Sequence, residues 1–377
     1  MCTIKEIQDK ISFTALEHHW NDLLERSKIN TPFLTWQWLS QWWEHYGTTN
    51  WKLNIFLIKK DNKAIGIAPF ILNKSNLIKL YLFKKMIFLG SFGVGSDFLD
   101  FIVDKGKEDL AIDLLLNHLI LNNKNWDVIH LTNVLGTSSS IEHIVKVCSR
   151  LGCDIKIKSA TTCPFIELPN SWDAFFSSLS RNTQSSIKRQ INKLNKQFHI
   201  TYEVIEREGD LSKAMGDLFN LNRFRMKEKG RIGAFLDKKF TEFHEAVIPI
   251  LFKEGILRLC FLKANEERIA ALYNFIYNKT CFFYQGGFNP DWKNYSPGTV
   301  ILSYSIKDAI EKGLKEYSLL QGAENYKFKF TDKVKDCLNI TIFNKTLKGR
   351  FIKYTIDIMA YLRLMKKGLL TRQYLCL

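Results

Sequence analysis

Residues 284–298 read Tyr-Gln-Gly-Gly-Phe-Asn-Pro-Asp-Trp-Lys-Asn-Tyr-Ser-Pro-Gly, and residues 321–327 read Gln-Gly-Ala-Glu-Asn-Tyr-Lys. The first run joins a strand over 281–285 to a Gly- and Pro-punctuated loop, and Ser296, Pro297 and Gly298 stand before an apolar-periodic helix over 297–312. Serine suits an N-cap and proline the first helical position. The free N–H groups and positive dipole end of such a start form a natural seat for an anionic ligand. The same strand–loop–helix is also a common packing element. Glu324 and Tyr326 lie just beyond the next strand, and Tyr284 and Tyr295 flank the loop. A carboxylate and phenols can move protons, although tyrosine serves equally as a wall residue. Lys327 falls in an alternating run over 326–330 that reads as a strand. It is either a surface lysine or, near Glu324, a contact for substrate or phosphate.

These residues need a scaffold, and the chain shows one twice. A helical pattern over 13–26 and an aromatic helix carrying Trp36, Leu39, Trp42, Trp43 and Tyr46 precede strands over 51–59 and 64–72. A strand over 86–89, the Gly-rich loop 90–97, a helix near 108–121 and a strand over 127–133 follow. The second half repeats the order: helices over 210–229 and 238–253, strands over 257–264, 268–277 and 280–285, the loop, the helix, and a strand over 316–320. The two hairpins are offset by about two hundred residues, which predicts a duplicated mixed α/β unit instead of a short-period array. The expected units are 1–160 and 161–345, followed by a basic amphipathic helix over 346–377. Asp97 and Asp100 sit in the first copy's loop, where they could meet an acceptor or simply form turns. Between the halves, Ile187, Ile191 and Leu194 make a narrow apolar stripe amid Arg181, Lys188, Arg189, Lys193 and Lys196. That pattern is either a solvated amphipathic helix or a cradle for a polyanion.

The chain has 377 residues, enough for two domains, and 46% apolar content supplies full cores. No apolar run reaches the roughly 18 residues of a membrane span, and the start lacks a basic-then-apolar leader. A cytoplasmic protein is expected. Its eight cysteines include no Cys-x-x-Cys pair and read as reduced core residues; the eight histidines are unclustered, so no metal is expected. A net charge of +16 suits nucleic acid, anionic lipid or a phosphate-rich ligand, or reflects lysine spread over the surface. The basic tail, with Lys348, Arg350, Lys353, Arg363, Lys366, Lys367 and Arg372, could touch an anionic membrane surface or pack on a domain. No Ser, Cys or His stands in a recognisable nucleophile arrangement.

In this order and spacing the chain resembles the GNAT-superfamily acyltransferases grouped with the CelD-type cellulose-biosynthesis proteins, and more distantly the FemAB-like transferases, which carry two GNAT-type domains in tandem. The matching pieces are 31–39, 65–70, 95–100, 179–189, 284–288, 295–298 and 321–327. The family's Arg and one acidic position are Gln321 and Ala323 here, and the Gln/Arg-x-x-Gly-x-Gly phosphate loop of ordinary GNAT enzymes is absent. The resemblance implies two tandem GNAT-like α/β domains and transfer of an acyl group, in particular acetyl, from acyl-CoA to an amine or hydroxyl of a sugar, polysaccharide precursor or amino compound. It implies donor contacts at Gln285, Gly286, Tyr295, Ser296, Pro297, Gly298 and Thr299, and chemistry at Glu324, Tyr326, Lys327 and Tyr284. Acceptor contacts would fall to Asp97, Asp100, Arg181, Lys188 and Arg189. Two other readings stay open: FemAB-like aminoacyl transfer from tRNA, which the positive charge would help, and a non-catalytic binding protein in polysaccharide assembly.

Overall fold

The computed structural model describes residues 1–48, 50–76, 82–122 and 125–374. Cys376 lies outside them, and the side chains of Arg363, Lys366, Lys367 and Arg372 are not among those described. The first half runs β1 (Cys2–Ile7), α1 (Lys10–Thr14), α2 (Glu17–Glu25), α3 (Trp36–Tyr46), β2 (Trp51–Lys60), β3 (Lys63–Asn76), β4 (Leu82–Phe88), β5 (Ile102–Val103), α4 (Glu108–Asn117), β6 (Val128–Leu135), α5 (Ser139–Leu151) and β7 (Asp154–Glu167). The second runs α6 (Trp172–Ser178), α7 (Arg181–Asn195), β8 (Ile200–Val204), α8 (Glu208–Glu228), α9 (Lys238–Lys253), β9 (Leu257–Ala264), β10 (Glu267–Tyr277), β11 (Thr280–Phe288), α10 (Pro297–Glu311), β12 (Glu316–Ser318), β13 (Val334–Phe343) and α11 (Leu347–Tyr374).

The thirteen described strands form one sheet in the order β1-β2-β3-β4-β6-β13-β7-β12-β11-β10-β9-β8, with β5 on β3. Each half contributes the same run: antiparallel neighbours, then one parallel step, β4 on β6 and β11 on β12. The two closing strands cross over. β7 ends the first half but pairs with β12 of the second, and β13 ends the second half but lies between β6 and β7. The halves are therefore stitched together through their last strands.

Aromatic helix α3 sits at this join. Thr35 caps it by accepting from the Trp38 N–H, and one face buries Trp38, Leu39 and Trp42. Trp38 meets Phe243, Phe275 and Tyr284 of the second half edge-on at 4.9–5.6 Å, as ring quadrupoles favour. On α11, Ile352 packs against Phe83, Val128 and Phe343. The helix leaves Leu347, Phe351, Tyr354, Ile358, Tyr361 and Leu362 more than half exposed.

Two local expectations are corrected. Residues 326–330 form no strand; Lys327–Lys329 is a 3-10 turn that buries Lys327 and Phe330, three residues apart, and leaves Phe328 exposed. Ser296 occupies the N-cap position of α10 but is left-handed (φ 52°), and its side chain caps nothing.

Candidate active site

The parallel step in the second half opens a cleft. β11 pairs with β12 only over 280–282 with 316–318. Beyond that point Leu319 follows β7 instead, donating to Pro164 O, so the edge of β11 from Phe283 to Phe288 splays away. Gly287 lets α8 lie directly on the strand: a Cβ there would come within 2.2 Å of the Asn222 backbone nitrogen. That contact brings Asn222 and Arg225 onto the β11 backbone, where both donate to Gly286 O at 3.0 and 3.2 Å.

Two chambers fill the split. One, of about 280 Å³, lies between β11 and the start of α10 and is lined by Gly286, Phe288, Ser296, Pro297, Gly298, Thr299, Lys293 and the apolar Leu272, Ile301 and Leu302. The Ser296 carbonyl accepts from Thr299 and Val300, while the Gly298 N–H, in the first helical turn at the chamber wall, has no partner among the described residues. The second, of about 240 Å³, is lined by Gly95 and Asp97 of the first half, Tyr284 and Gln285, Leu320 and Gln321, Glu324 and Lys327, and Met226 and Arg231. Arg225, Lys229, Phe283, Gly286 and Tyr326 border both, so the chambers meet at that point. The Arg225 guanidinium lies 5.8 Å from the centres of both the Phe288 and Tyr326 rings, and its buried Nε has no partner.

Asp97 is the group that the two halves build together. Its Oδ2 accepts from the Gln321 N–H at 2.9 Å, while the buried Oδ1 has no partner. Burial raises its pKa to about 6, although the Gln321 N–H and the Lys327 charge pull the other way. Its neighbours hold it rigidly. Phe98 and Leu320 both adopt left-handed backbone (φ 58° and 54°), which side chains of that size rarely tolerate. The loop before Asp97 is pinned by Trp38 Nε1 to Ser96 Oγ at 2.9 Å and Trp42 Nε1 to Phe92 O at 2.8 Å. Tyr284 donates to Val94 O in the same loop. His244 must then donate from Nε2 to the Tyr284 oxygen, leaving Nδ1 to accept from Tyr273 at 3.3 Å. Burial holds this imidazole well below its usual pKa, so it stays neutral.

The other expected residues divide. Lys327 is buried, and its ammonium donates to the carbonyls of Leu320, Gln321 and Gly322 at 3.3, 2.7 and 3.3 Å and pairs with Glu324 at 3.0 Å. It braces the turn that holds Asp97. Burial works against the Glu324 charge, but the Lys327 partnership outweighs it and keeps this carboxylate below its ordinary pKa. Burial pushes Tyr326 up to about 12, so it stays protonated where the chambers meet. Burial likewise keeps Tyr284 protonated. Tyr295 turns out of the cleft to Gln197 Oε1, at 2.5 Å. Asp100 lines neither chamber; it accepts from Ser138 Oγ at 2.5 Å and from the Phe101 N–H. Arg181, Lys188 and Arg189 lie on α7 and line neither chamber, with Lys188 over the Phe176 ring. Sequence reading missed Arg225, Lys229 and Arg231, whose only trace was a cation-rich end to a predicted helix.

The first half has the same parallel step. Phe98, Leu99 and Phe101, just after Asp97, are buried there, with Phe101 edge-on to Phe70 and Phe88. Its loop supplies Asp97 to the second half.

Residues 181–328, which include α8, the splayed β11 and the α10 start, match the family described as an acetyltransferase (GNAT) domain. The chain carries a GNAT acetyltransferase domain. It is an acyltransferase, with the mixed α/β fold of GNAT proteins. Solved structures with this fold include FemX (11% identity, 89% of this chain and 96% of that one, TM-score 0.60). L-PGS from Bacillus licheniformis (11%, 92% and 96%, 0.52) and a conserved protein of unknown function from Bacteroides thetaiotaomicron (10%, 90% and 100%, 0.54) share it. Among curated proteins, none matches the chain by sequence. Among the described residues, no helix is long and apolar enough to cross a membrane, and no group of three His, Cys, Asp or Glu could hold a metal ion.

Proposed function

We propose that the chain transfers an acyl group, in particular acetyl, from acyl-CoA held in the first chamber to an amine or hydroxyl seated in the second. The observation that carries this reading is the meeting of two chambers of opposite character at Gly286, Arg225 and Tyr326. The donor side offers the unpaired Gly298 N–H, the dipole of α10, and Lys229 and Lys293 for phosphates, with apolar walls for the arm. The acceptor side offers the unpartnered Asp97 Oδ1. The acceptor's nitrogen or oxygen bonds to the thioester carbonyl carbon, and its proton passes to Asp97 Oδ1. Arg225 faces the developing oxyanion. The C–S bond breaks, Tyr326 donates a hydrogen bond to the leaving sulfur, and the thiolate takes its proton from solvent. Lys327 acts through the Leu320–Gly322 turn as a positioning residue.

The narrower likeness to CelD-type proteins, a saccharide or polysaccharide-precursor acceptor, a cytoplasmic site and peripheral contact with an anionic membrane surface belong to this reading. So do the unit boundaries 1–160 and 161–345. A thermal-shift screen of acyl-CoAs and nucleotide-sugars tests it: acyl-CoA stabilises the wild type but not Gly298→Val. Equal stabilisation of both proteins removes the donor assignment. The second reading, aminoacyl transfer from tRNA, is favoured by Lys229 and Arg231, cations without a salt-bridge partner among the described residues at the chamber mouth. Salt-sensitive tRNA retention without CoA binding would select it.

A further inference from the structure

The segment after α8 presents apolar side chains to solvent beside the acceptor chamber, and its backbone is fixed in that pose. Gly230 ends the helix in a left-handed conformation, and the Arg231 N–H closes back on Met226 O at 2.9 Å. Gly233 packs close to Met226, and Arg223 clamps Phe235 O through two bonds of 3.1 and 3.0 Å. Phe235 is buried against Phe219 at 4.3 Å, and Asp237 caps α9 through the Phe240 N–H. Ile232 and Leu236 therefore point outward from a braced loop, 87% and 61% exposed. Lys227, Lys229, Arg231, Lys238 and Lys239 flank them in the chain, with Lys238 paired to Glu242, while the acids of the segment are engaged: Glu228 pairs with Lys293, and Asp237 is the helix cap. Burial, then Arg225 and Arg231, lower the Lys229 pKa against the opposing pull of Glu324 and Glu228.

We infer that this corner, residues 227–239, docks on an anionic lipid bilayer. Ile232 and Leu236 enter the headgroup–acyl boundary, and the surrounding cations meet lipid phosphates. The inference deepens the acceptor assignment and rests on it. Arg231 and Lys229 line the second chamber, so a docked corner opens that chamber onto the membrane surface, and the acceptor is an amphiphile whose polar head stands above the lipid plane. Among the described side chains, the longer apolar stripe of α11 fits this partner less well, because two of the cations beside it, Lys348 and Lys353, are engaged internally. Lys348 pairs with Asp127, and Lys353 with Asp154 and Asp357.

The test is flotation of the full chain with vesicles of phosphatidylglycerol and phosphatidylcholine, or of phosphatidylcholine alone. The wild type floats with the mixed vesicles and is released by salt. Ile232→Asp/Leu236→Asp weakens this binding more than about tenfold, and Lys227→Glu weakens it less. Both variants keep the wild-type thermal midpoint and acyl-CoA binding, because these side chains are exposed and touch neither donor wall nor Asp97. Phe351→Ser/Ile358→Ser on α11 floats as the wild type does. The inference is overturned if the wild type ignores anionic vesicles, if the Ile232/Leu236 variant floats unchanged, if the α11 variant alone fails to float, or if the corner variant loses tRNA retention in place of lipid binding. Vesicle binding is read without turnover, so its failure is distinct from failure of the acyl-transfer reading.

Discussion

Asp97→Asn should make the protein more stable and nearly inactive, and both effects follow from one buried carboxylate. The folded protein holds this group at about 6 against an ordinary 3.8. At about 1.4 kcal/mol per unit, the ionised form costs the folded state about 3 kcal/mol at neutral pH. The sign is fixed by proton counting. Well below the ordinary value both states are protonated and no penalty exists. Between the two values the folded state keeps a proton that the unfolded state has lost, so this group's contribution to stability falls as pH rises. Above the folded value the penalty is complete. Asparagine keeps a carbonyl oxygen for the Gln321 N–H and carries no charge. Urea unfolding of both proteins from about pH 4 to about pH 8 should therefore show a stability difference that starts at about 0.5 kcal/mol and grows to about 3 kcal/mol in favour of the variant. The same substitution should lower kcat by about 10²–10⁴-fold, and wild-type kcat/KM should rise with pH through an inflection near 6. A stability difference that does not change with pH, or a variant with wild-type kcat, would refute the argument.

Removing the Lys327 ammonium leaves three turn carbonyls without their donor, so Lys327→Met should lose about 2–3 kcal/mol of stability in urea unfolding and activity with it. Gly287→Ala drives a methyl into the backbone of α8 and should cost about 3 kcal/mol, read as a lowered Tm. Gly298 differs: a Cβ there meets only Phe288 at 3.7 Å, so Gly298→Ala should fold and bind normally, whereas Gly298→Val should fold but bind acyl-CoA at least about tenfold more weakly by calorimetry. Arg225→Met keeps much of the stacking area over Phe288 and Tyr326 but loses the charge; kcat should fall about 10²-fold while acyl-CoA binding changes little.

The fold was legible where pattern and burial agree. Leu39, Trp42 and Tyr46 fall at helical spacing because one face of α3 is buried, and β2, β3, β9 and β10 read as nearly unbroken apolar runs because both faces of these strands are covered. The crossing of β7 and β13 was not legible. Strand pairing between residues 154–164 and 334–343 is a long-range choice that leaves no local signature in either segment. Within the site, the α10 start and Tyr326 could be placed from turn chemistry and position. Lys327 could not: its lysine type suggests a surface, and only the three carbonyls of the Leu320–Gly322 turn explain its burial. Arg225 was hidden because its role depends on Gly287 admitting α8 to β11, a contact between elements about sixty residues apart.

The exchange of closing strands also bears on how Asp97 is held at the cleft beside β11. Because β7 runs from β13 to β12, its residues Cys163 and Pro164 lie at the seam, and the Gln321 turn that follows β12 falls against the first half's loop. In the first half, Phe98, Leu99 and Phe101 form a buried run just after Asp97. That burial anchors the residues just after Asp97, while Trp38, Trp42 and Tyr284 anchor those just before it. A carboxylate held on both sides can remain buried with one oxygen unpartnered, a state that a mobile loop would relieve by turning to solvent. The buried run after Asp97 thus provides rigidity that the cleft beside β11 uses. Truncating that run, for example with Phe101→Ala, should loosen Asp97 and return its pKa toward the ordinary carboxylate value. The measurable sign is a downward move of the pH-rate inflection from about 6 without loss of acyl-CoA binding. An unmoved inflection would mean that the seam alone holds Asp97.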